Sequence, residues 1–62
     1  MTNITIPRTD ITLNEIRETL GEGVDRERIE NYLSEQLNPD FWHIDALDRC
    51  KMIEWCFERL NP

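Results

Sequence analysis

Apolar residues recur at helical spacing through most of this chain, in three segments separated by glycine and proline. The spacing predicts helices over about 13–20, 26–37 and 39–60, and no pair of segments has the alternating pattern of a sheet. The expected fold class is therefore all-α. It is a three-helix mini-domain over residues 11–62, with two short helices and one long C-terminal helix, preceded by an extended N-terminal arm over residues 1–10.

Both short helices carry recognisable boundary signals. Thr12 and Glu15 have the spacing of a capping box at the start of the first helix. Gly21 suits the position just beyond its end. Asp25 is the expected N-cap of the second helix, in which Arg26 and Glu30 have the i, i+4 spacing of a helical ion pair.

The long third segment contains both tryptophans, both phenylalanines and both cysteines. Asn38 suits the N-cap of this helix, and Pro39 suits its first position. On a helical wheel the apolar side chains fall into two stripes. The first, expected to pack against the short helices, comprises Trp42, Ala46, Cys50, Ile53, Phe57 and Leu60. The second lies about 160° away and comprises Phe41, Ile44, Met52 and Trp55.

Two short helices cannot easily cover both stripes, so the second stripe is a predicted contact surface. An isologous homodimer is the simplest such contact, and Trp55 is its expected energetic centre because tryptophans dominate many interfaces. The alternative is that the first helix or the arm covers this stripe within one chain.

The arm has Thr2, Ile4 and Ile6 on one side of an extended segment that Pro7 ends. With no second strand in the sequence, the arm has three possible fates: it lies along the helices, pairs with the same segment of a second subunit, or stays loose. Pairing or docking would make Ile4 and Ile6 contact residues. The predicted interface thus comprises Phe41, Ile44, Met52, Trp55, Ile4 and Ile6.

The chain is short and acidic. Its 62 residues form one domain of marginal stability, for which self-association is a common form of support. Thirteen acidic residues against seven basic ones give a net charge of −6, which argues against direct nucleic-acid binding and against anionic membrane surfaces. The acidity either serves solubility or complements a basic partner surface, in the extreme by imitating a nucleic-acid backbone.

The cysteines and the missing export signals indicate a reduced, cytoplasmic protein. Cys50 and Cys56 on one helix would lie about 9 Å apart along its axis, too far for a disulfide. No signal peptide and no apolar run of membrane-spanning length is visible. Both thiols are expected to act as small apolar side chains.

Catalytic and metal-binding patterns are also missing from the sequence. His43 and Cys50 are two helical turns apart, too far for a thiol–imidazole hydrogen bond. Asp45, Asp48 and Cys56 add no known metal-ligand spacing. A chain of this size is further expected to lack a cleft of several hundred Å³. The prediction is a protein that is not an enzyme and has no cofactor and no metal.

Two stretches are distinctive, Met1-Thr2-Asn3-Ile4-Thr5-Ile6-Pro7 and Phe41-Trp42-His43-Ile44. With its small size, acidity and helical pattern, the chain resembles the small accessory open reading frames of temperate phages, of the type in the exo–xis region of lambdoid phages. The resemblance implies a protein made early in infection that binds a host or phage factor in the host cytoplasm. It assigns no functional residue.

The function predicted from these observations is a small protein-interaction or regulatory module, homodimeric and binding a host or phage protein. The alternative is an acidic nucleic-acid mimic that blocks a DNA- or RNA-binding protein. A third possibility is a structural subunit that is stable only inside a larger assembly.

Overall fold

The computed structural model describes residues 4–61, and within this range it contains three α-helices and a short 3-10 helix. Helix α1 spans Leu13–Leu20, α2 spans Arg26–Leu37, the 3-10 helix spans Asp40–His43, and α3 spans Ala46–Leu60. The predicted all-α three-helix fold is confirmed, and the bounds of α1 and α2 agree with the sequence analysis. Thr2, which was predicted to lie beside Ile4 and Ile6, is outside the described residues.

Helix α1 begins and ends as the sequence predicts. The Thr12 hydroxyl accepts a hydrogen bond from the Glu15 amide at 3.2 Å, and the Glu15 carboxylate accepts one from the Thr12 amide at 3.0 Å. This capping box satisfies two of the amides that a helix start leaves unpaired. Gly21 follows the helix with a φ of 79°, a conformation that glycine adopts without steric cost.

Helix α2 is the element that the other helices share. It contacts α1, the 3-10 helix and α3. Its Ile29 and Leu33, one turn apart on one face, are completely buried. The predicted cap is present, since an Asp25 carboxylate oxygen accepts a hydrogen bond from the Arg28 amide at 2.9 Å.

The predicted third helix over 39–60 is wrong in its first part. The helical segment that follows Pro39 is a 3-10 helix that ends at His43, and α3 starts afresh behind it. Asp45 is the N-cap of α3, and its carboxylate accepts a hydrogen bond from the Leu47 amide at 3.1 Å. Asn38 is the C-cap of α2 instead of the predicted N-cap of the third helix.

Arg49 contacts both sides of the connection between the 3-10 helix and α3. The Arg49 guanidinium lies 5.8 Å from the ring centre of Phe41 and 5.2 Å from that of Trp42. It also donates a hydrogen bond to the carbonyl oxygen of Ile44, in the connection itself. Phe41 is buried in the core, which explains why the 3-10 helix turns towards α2 and does not continue straight into α3.

Helix α3 runs back antiparallel to α2. At its end, the Asn61 side-chain amide donates to the Val24 carbonyl at 3.0 Å, and the Gly23 amide donates to the Leu60 carbonyl at 3.0 Å. These two bonds join the C-terminal end of α3 to the turn that precedes α2. The two helices therefore form a helical hairpin with α1 packed against α2.

The buried face of α3 lies between the two predicted stripes. Met52 comes from the second stripe and Ile53 from the first, and the completely buried Cys56 lies between them on the helix surface. Trp55 and Phe57 flank this face and are half-buried. The apolar positions thus form one wide arc, and the separation into two stripes was wrong because Cys56, assigned to neither stripe, connects them.

The N-terminal arm folds back on the chain within one molecule. Thr5 and Thr12 form an isolated antiparallel bridge, flanked by hydrogen bonds from the Ile6 amide to the Ile11 carbonyl at 2.8 Å and from the Leu13 amide to the Ile4 carbonyl at 2.7 Å. Ile6 is buried in the core. The expectation that the arm has no pairing partner within the chain was wrong, because the residues just before α1 supply one.

We expect the arm to contribute measurably to stability through Ile6. Ile6→Ala removes a buried side chain and should lower the free energy of unfolding by about 2–4 kcal/mol, the usual cost of such a cavity. Ile4→Ala is the matched control, because Ile4 is 39% exposed and should cost much less. Urea unfolding followed by circular dichroism measures both, and equal effects would show that the arm does not pack as described.

We also expect the second helix start at Asp45 to matter. Asp45→Ala removes the acceptor for the Leu47 amide and should lower the free energy of unfolding by about 1 kcal/mol. Asp45→Ser keeps a capping oxygen and should retain most of the stability. If the two variants unfold at the same urea concentration, the hydrogen bond from the Leu47 amide to the residue 45 side chain does not stabilise the start of α3.

Candidate functional site

Half of the predicted interface residues are inside the molecule. Phe41, Met52 and Ile6 are buried in the core of the single chain, so no partner can contact them while the domain is folded. The prediction of a continuous exposed stripe is therefore wrong. The break before Asp45 turns Phe41 inwards, and the wide buried face of α3 includes Met52.

The remaining predicted interface residues are only partly accessible. Ile44 and Trp55 are half-buried and pack against the core, and the Arg59 guanidinium covers the Trp55 ring at 4.1 Å from its centre. Ile4 lies on the arm and is 39% exposed. Trp55 is thus supported by its own chain, and its side chain is not the free aromatic surface that was predicted.

The large apolar side chains that solvent reaches most lie elsewhere. Leu47 is 65% exposed and Trp42 is 57% exposed. A single exposed apolar side chain is common, so its neighbours determine whether it belongs to a contact site. Leu47 is in the first turn of α3, next to the exposed Ala46 and three residues before the exposed Cys50. Residues three or four apart are neighbours on a helix. We call Ala46, Leu47 and Cys50 the Leu47 surface.

A groove between α2 and α3 continues from this surface. It is open to solvent and has a volume of about 560 Å³. Its lining consists of Arg26, Glu27, Glu30, Cys50, Ile53 and Glu54. Cys50 belongs to both features, so the Leu47 surface and the groove form one region. The expectation that a chain of this size lacks such a cleft was wrong.

Charges at one end of the groove compensate each other. The Arg26 guanidinium forms hydrogen bonds and a salt bridge with the Glu54 carboxylate, and its central carbon lies 3.9 Å from the centre of the Phe57 ring. The hydrogen bond to Glu54 raises the pKa of Arg26, and the bond from Arg26 lowers the pKa of Glu54. Both side chains are close to half-exposed, so solvent screens this pair.

Charges along the α2 side of the groove remain uncompensated. The sequence pairs Glu30 with Arg26, but Arg26 binds Glu54 instead. Glu27 and Glu30, three residues apart on one face of α2, have no ion-pair partner within residues 4–61. The groove therefore has an apolar floor at Cys50 and Ile53 and an acidic edge on α2.

A second, smaller groove lies between the arm and α3. It has a volume of about 220 Å³ and is lined by Pro7, Arg8, Asp48, Lys51, Met52 and Trp55. The Arg8 guanidinium forms a salt bridge with Asp48 at 3.1 Å across it. Arg8 adopts a left-handed conformation, with a φ of 65°, in the tight turn of the arm. Of the charged residues that line this groove, Arg8 and Asp48 pair with each other, and Lys51 has no ion-pair partner within residues 4–61.

The residues that the sequence analysis examined for metal or thiol chemistry are dispersed. His43 ends the 3-10 helix, Asp45 caps α3, Asp48 pairs with Arg8 and Cys56 is buried. In the part of the chain that the structure describes, no three histidine, cysteine or acidic side chains come together in a group able to hold a metal ion. Over the same residues, no helix combines the length and apolar character needed to cross a bilayer.

Leu47 was not predicted as a candidate site residue. Leu47 falls outside both stripes on the wheel, and its exposure depends on where α3 begins. The signal that could have found it is the Asp45 N-cap, which sets the start of α3. The groove itself depends on the spacing of two helices, which no local pattern encodes.

Comparisons with known proteins add no assignment. No protein-family model matches this chain, and no match is found among curated proteins or among solved structures. The resemblance to accessory reading frames of temperate phages therefore stays a prediction.

The two thiols should differ in reactivity. Both are free, but Cys50 is exposed and Cys56 is buried, and burial raises the pKa of Cys56 from its ordinary value of 9.0 to about 11. We expect iodoacetamide to modify Cys50 in the folded protein and to reach Cys56 only after unfolding, because the reactive species is the thiolate. Peptide mapping by mass spectrometry measures both sites, and equal labelling of the folded protein would contradict the packing of α3.

The same shift gives an expected pH dependence. An unfolded chain loses the Cys56 proton near pH 9 and the folded chain only near pH 11. The contribution of this thiol to stability is complete below about pH 9 and is lost as the pH rises towards 11. Cys56→Ala should remove this alkaline dependence from the free energy of unfolding.

Proposed function

We propose that this chain is a small, non-catalytic protein-binding module whose contact region is the Leu47 surface together with the groove between α2 and α3. The observation that carries the proposal is Leu47, a leucine that is 65% exposed one turn before Cys50, which lines an apolar-floored groove. An exposed apolar region of this kind, bordered by polar groups, is typical of a protein contact site.

The shape of the region supports a helical segment as its occupant. Two antiparallel helices form the walls, and a partner helix can place one side chain over Cys50 and Ile53 while a neighbouring one contacts Leu47. Burying a leucine side chain contributes about 1.5–3 kcal/mol, so Leu47 would supply a measurable part of the binding free energy.

A second copy of the chain suits this region less well than another protein does. An isologous contact brings the same patch of both subunits together, so Glu27 and Glu30 of one subunit would approach the same carboxylates of the other. Like charges at an interface weaken it. Another protein is therefore a better candidate for this region than a second copy of the chain.

A neutral amphipathic peptide tests the proposal without a known partner. The probe is a short helical peptide with leucine on one face and glutamine on the other, titrated into the isotopically labelled protein. We expect amide chemical shifts to change at Leu47, Cys50 and Ile53, and we expect bound peptide to slow the alkylation of Cys50. Leu47→Ser should weaken binding about tenfold, because it removes about 1.5 kcal/mol of apolar contact.

Ile4→Ser is the matched control for this experiment. It replaces another partly exposed aliphatic residue, on the arm and outside the groove lining, and should leave peptide affinity unchanged. The proposal fails if Leu47→Ser and Ile4→Ser bind the peptide as the parent does, or if the shifts spread evenly over the molecule. Concentration-dependent dimerisation that Leu47→Ser abolishes would assign the region to a second copy instead.

A further inference from the structure

We propose that the partner segment is a basic amphipathic helix, with lysine or arginine side chains one turn apart that contact Glu27 and Glu30. This inference rests on the proposed function, since it names the partner chemistry for the same region. It is carried by the charges that the fold leaves without a counterion along the groove.

The first step concerns Arg26, the one cation that lines the groove among residues 4–61. Its guanidinium is committed to Glu54 on α3 and to the face of the Phe57 ring. It therefore neutralises the α3 wall at that end. The carboxylates on the α2 wall keep their charge without a protein counterion within residues 4–61.

The second step is the placement of those carboxylates. Glu27 lies in the first turn of α2, where the helix dipole favours negative charge. Glu30 follows three residues later, about 4.5 Å further along the axis, and is half-buried at the groove edge. Two cations one turn apart on a partner helix would meet this spacing, and their aliphatic stems would cover the apolar floor.

The third step is the balance between apolar and acidic groups. Cys50, Ile53 and Leu47 offer a site for one face of a helix, while Glu27 and Glu30 border that site on one side only. A partner therefore needs an apolar face with a basic flank. An acidic or evenly charged helix would meet the same apolar floor but would be repelled at the α2 edge.

Three peptides with the same leucine positions separate the two proposals. One carries lysine, one glutamine and one glutamate on the polar face, and each is titrated into the labelled protein at about 0.15 M salt. We expect the lysine peptide to bind about tenfold more tightly than the glutamine peptide, and the glutamate peptide to bind more weakly than either. The advantage of lysine should shrink as salt is raised.

The double variant Glu27→Gln and Glu30→Gln should bind the lysine peptide no more tightly than the glutamine peptide. Its affinity for the glutamine peptide should equal that of the parent. The matched control is Glu18→Gln with Glu22→Gln, which changes the net charge equally at exposed acids outside the groove lining. If the control pair reduces lysine binding as much, the preference reflects overall charge and the inference is overturned.

The remaining outcomes show which of the two proposals fails. Equal affinity for all three peptides, still dependent on Leu47, overturns the basic partner and leaves the protein-binding function intact. Lysine binding that survives Leu47→Ser but not the double glutamate change overturns the amphipathic contact in favour of charge attraction alone. Loss of shifts for every peptide overturns both proposals together.

Discussion

Burial of the Ile29–Leu33 face of α2 is the constraint on which the rest of the molecule depends. α1, the 3-10 helix and α3 all contact α2, so each must present an apolar surface to the same short helix. A chain of 62 residues has no second core to compensate if this one fails. The arm contributes Ile6 to the same core, which is why a segment without regular helical structure still belongs to the folded unit.

Local signals in the sequence were sufficient for most of the secondary structure. The capping box at Thr12, the Asp25 cap and the glycine after α1 each depend on neighbouring residues alone, and each was predicted correctly. The corner before α3 was missed because two signals compete there. Asn38-Pro39 and Asp45 both resemble helix starts, and only the packing of Phe41 on α2 determines that the second one begins the long helix.

The candidate contact region could not be predicted because it consists of the apolar side chains that remain exposed after the core has packed. Periodicity identifies which side chains are apolar, but α3 is apolar over more than half of its circumference. The choice of Met52, Ile53 and Cys56 as the inward face leaves Leu47 and Cys50 outside. The ion pairs likewise depend on packing. The sequence spacing favours a pair between Arg26 and Glu30 on α2, but Arg26 instead pairs with Glu54 on α3, which the antiparallel hairpin brings close.

The Arg49 corner links the interior of the molecule to its accessible aromatic surface. One guanidinium faces both the buried ring of Phe41 and the exposed ring of Trp42, whose planes meet nearly at right angles with centres 4.9 Å apart. Lysine cannot reproduce a planar group that stacks and donates at once. A change at Arg49 would therefore alter the orientation of Trp42 as well as remove the contacts of the guanidinium itself, so this arginine belongs to the framework of the fold although it borders an exposed side chain.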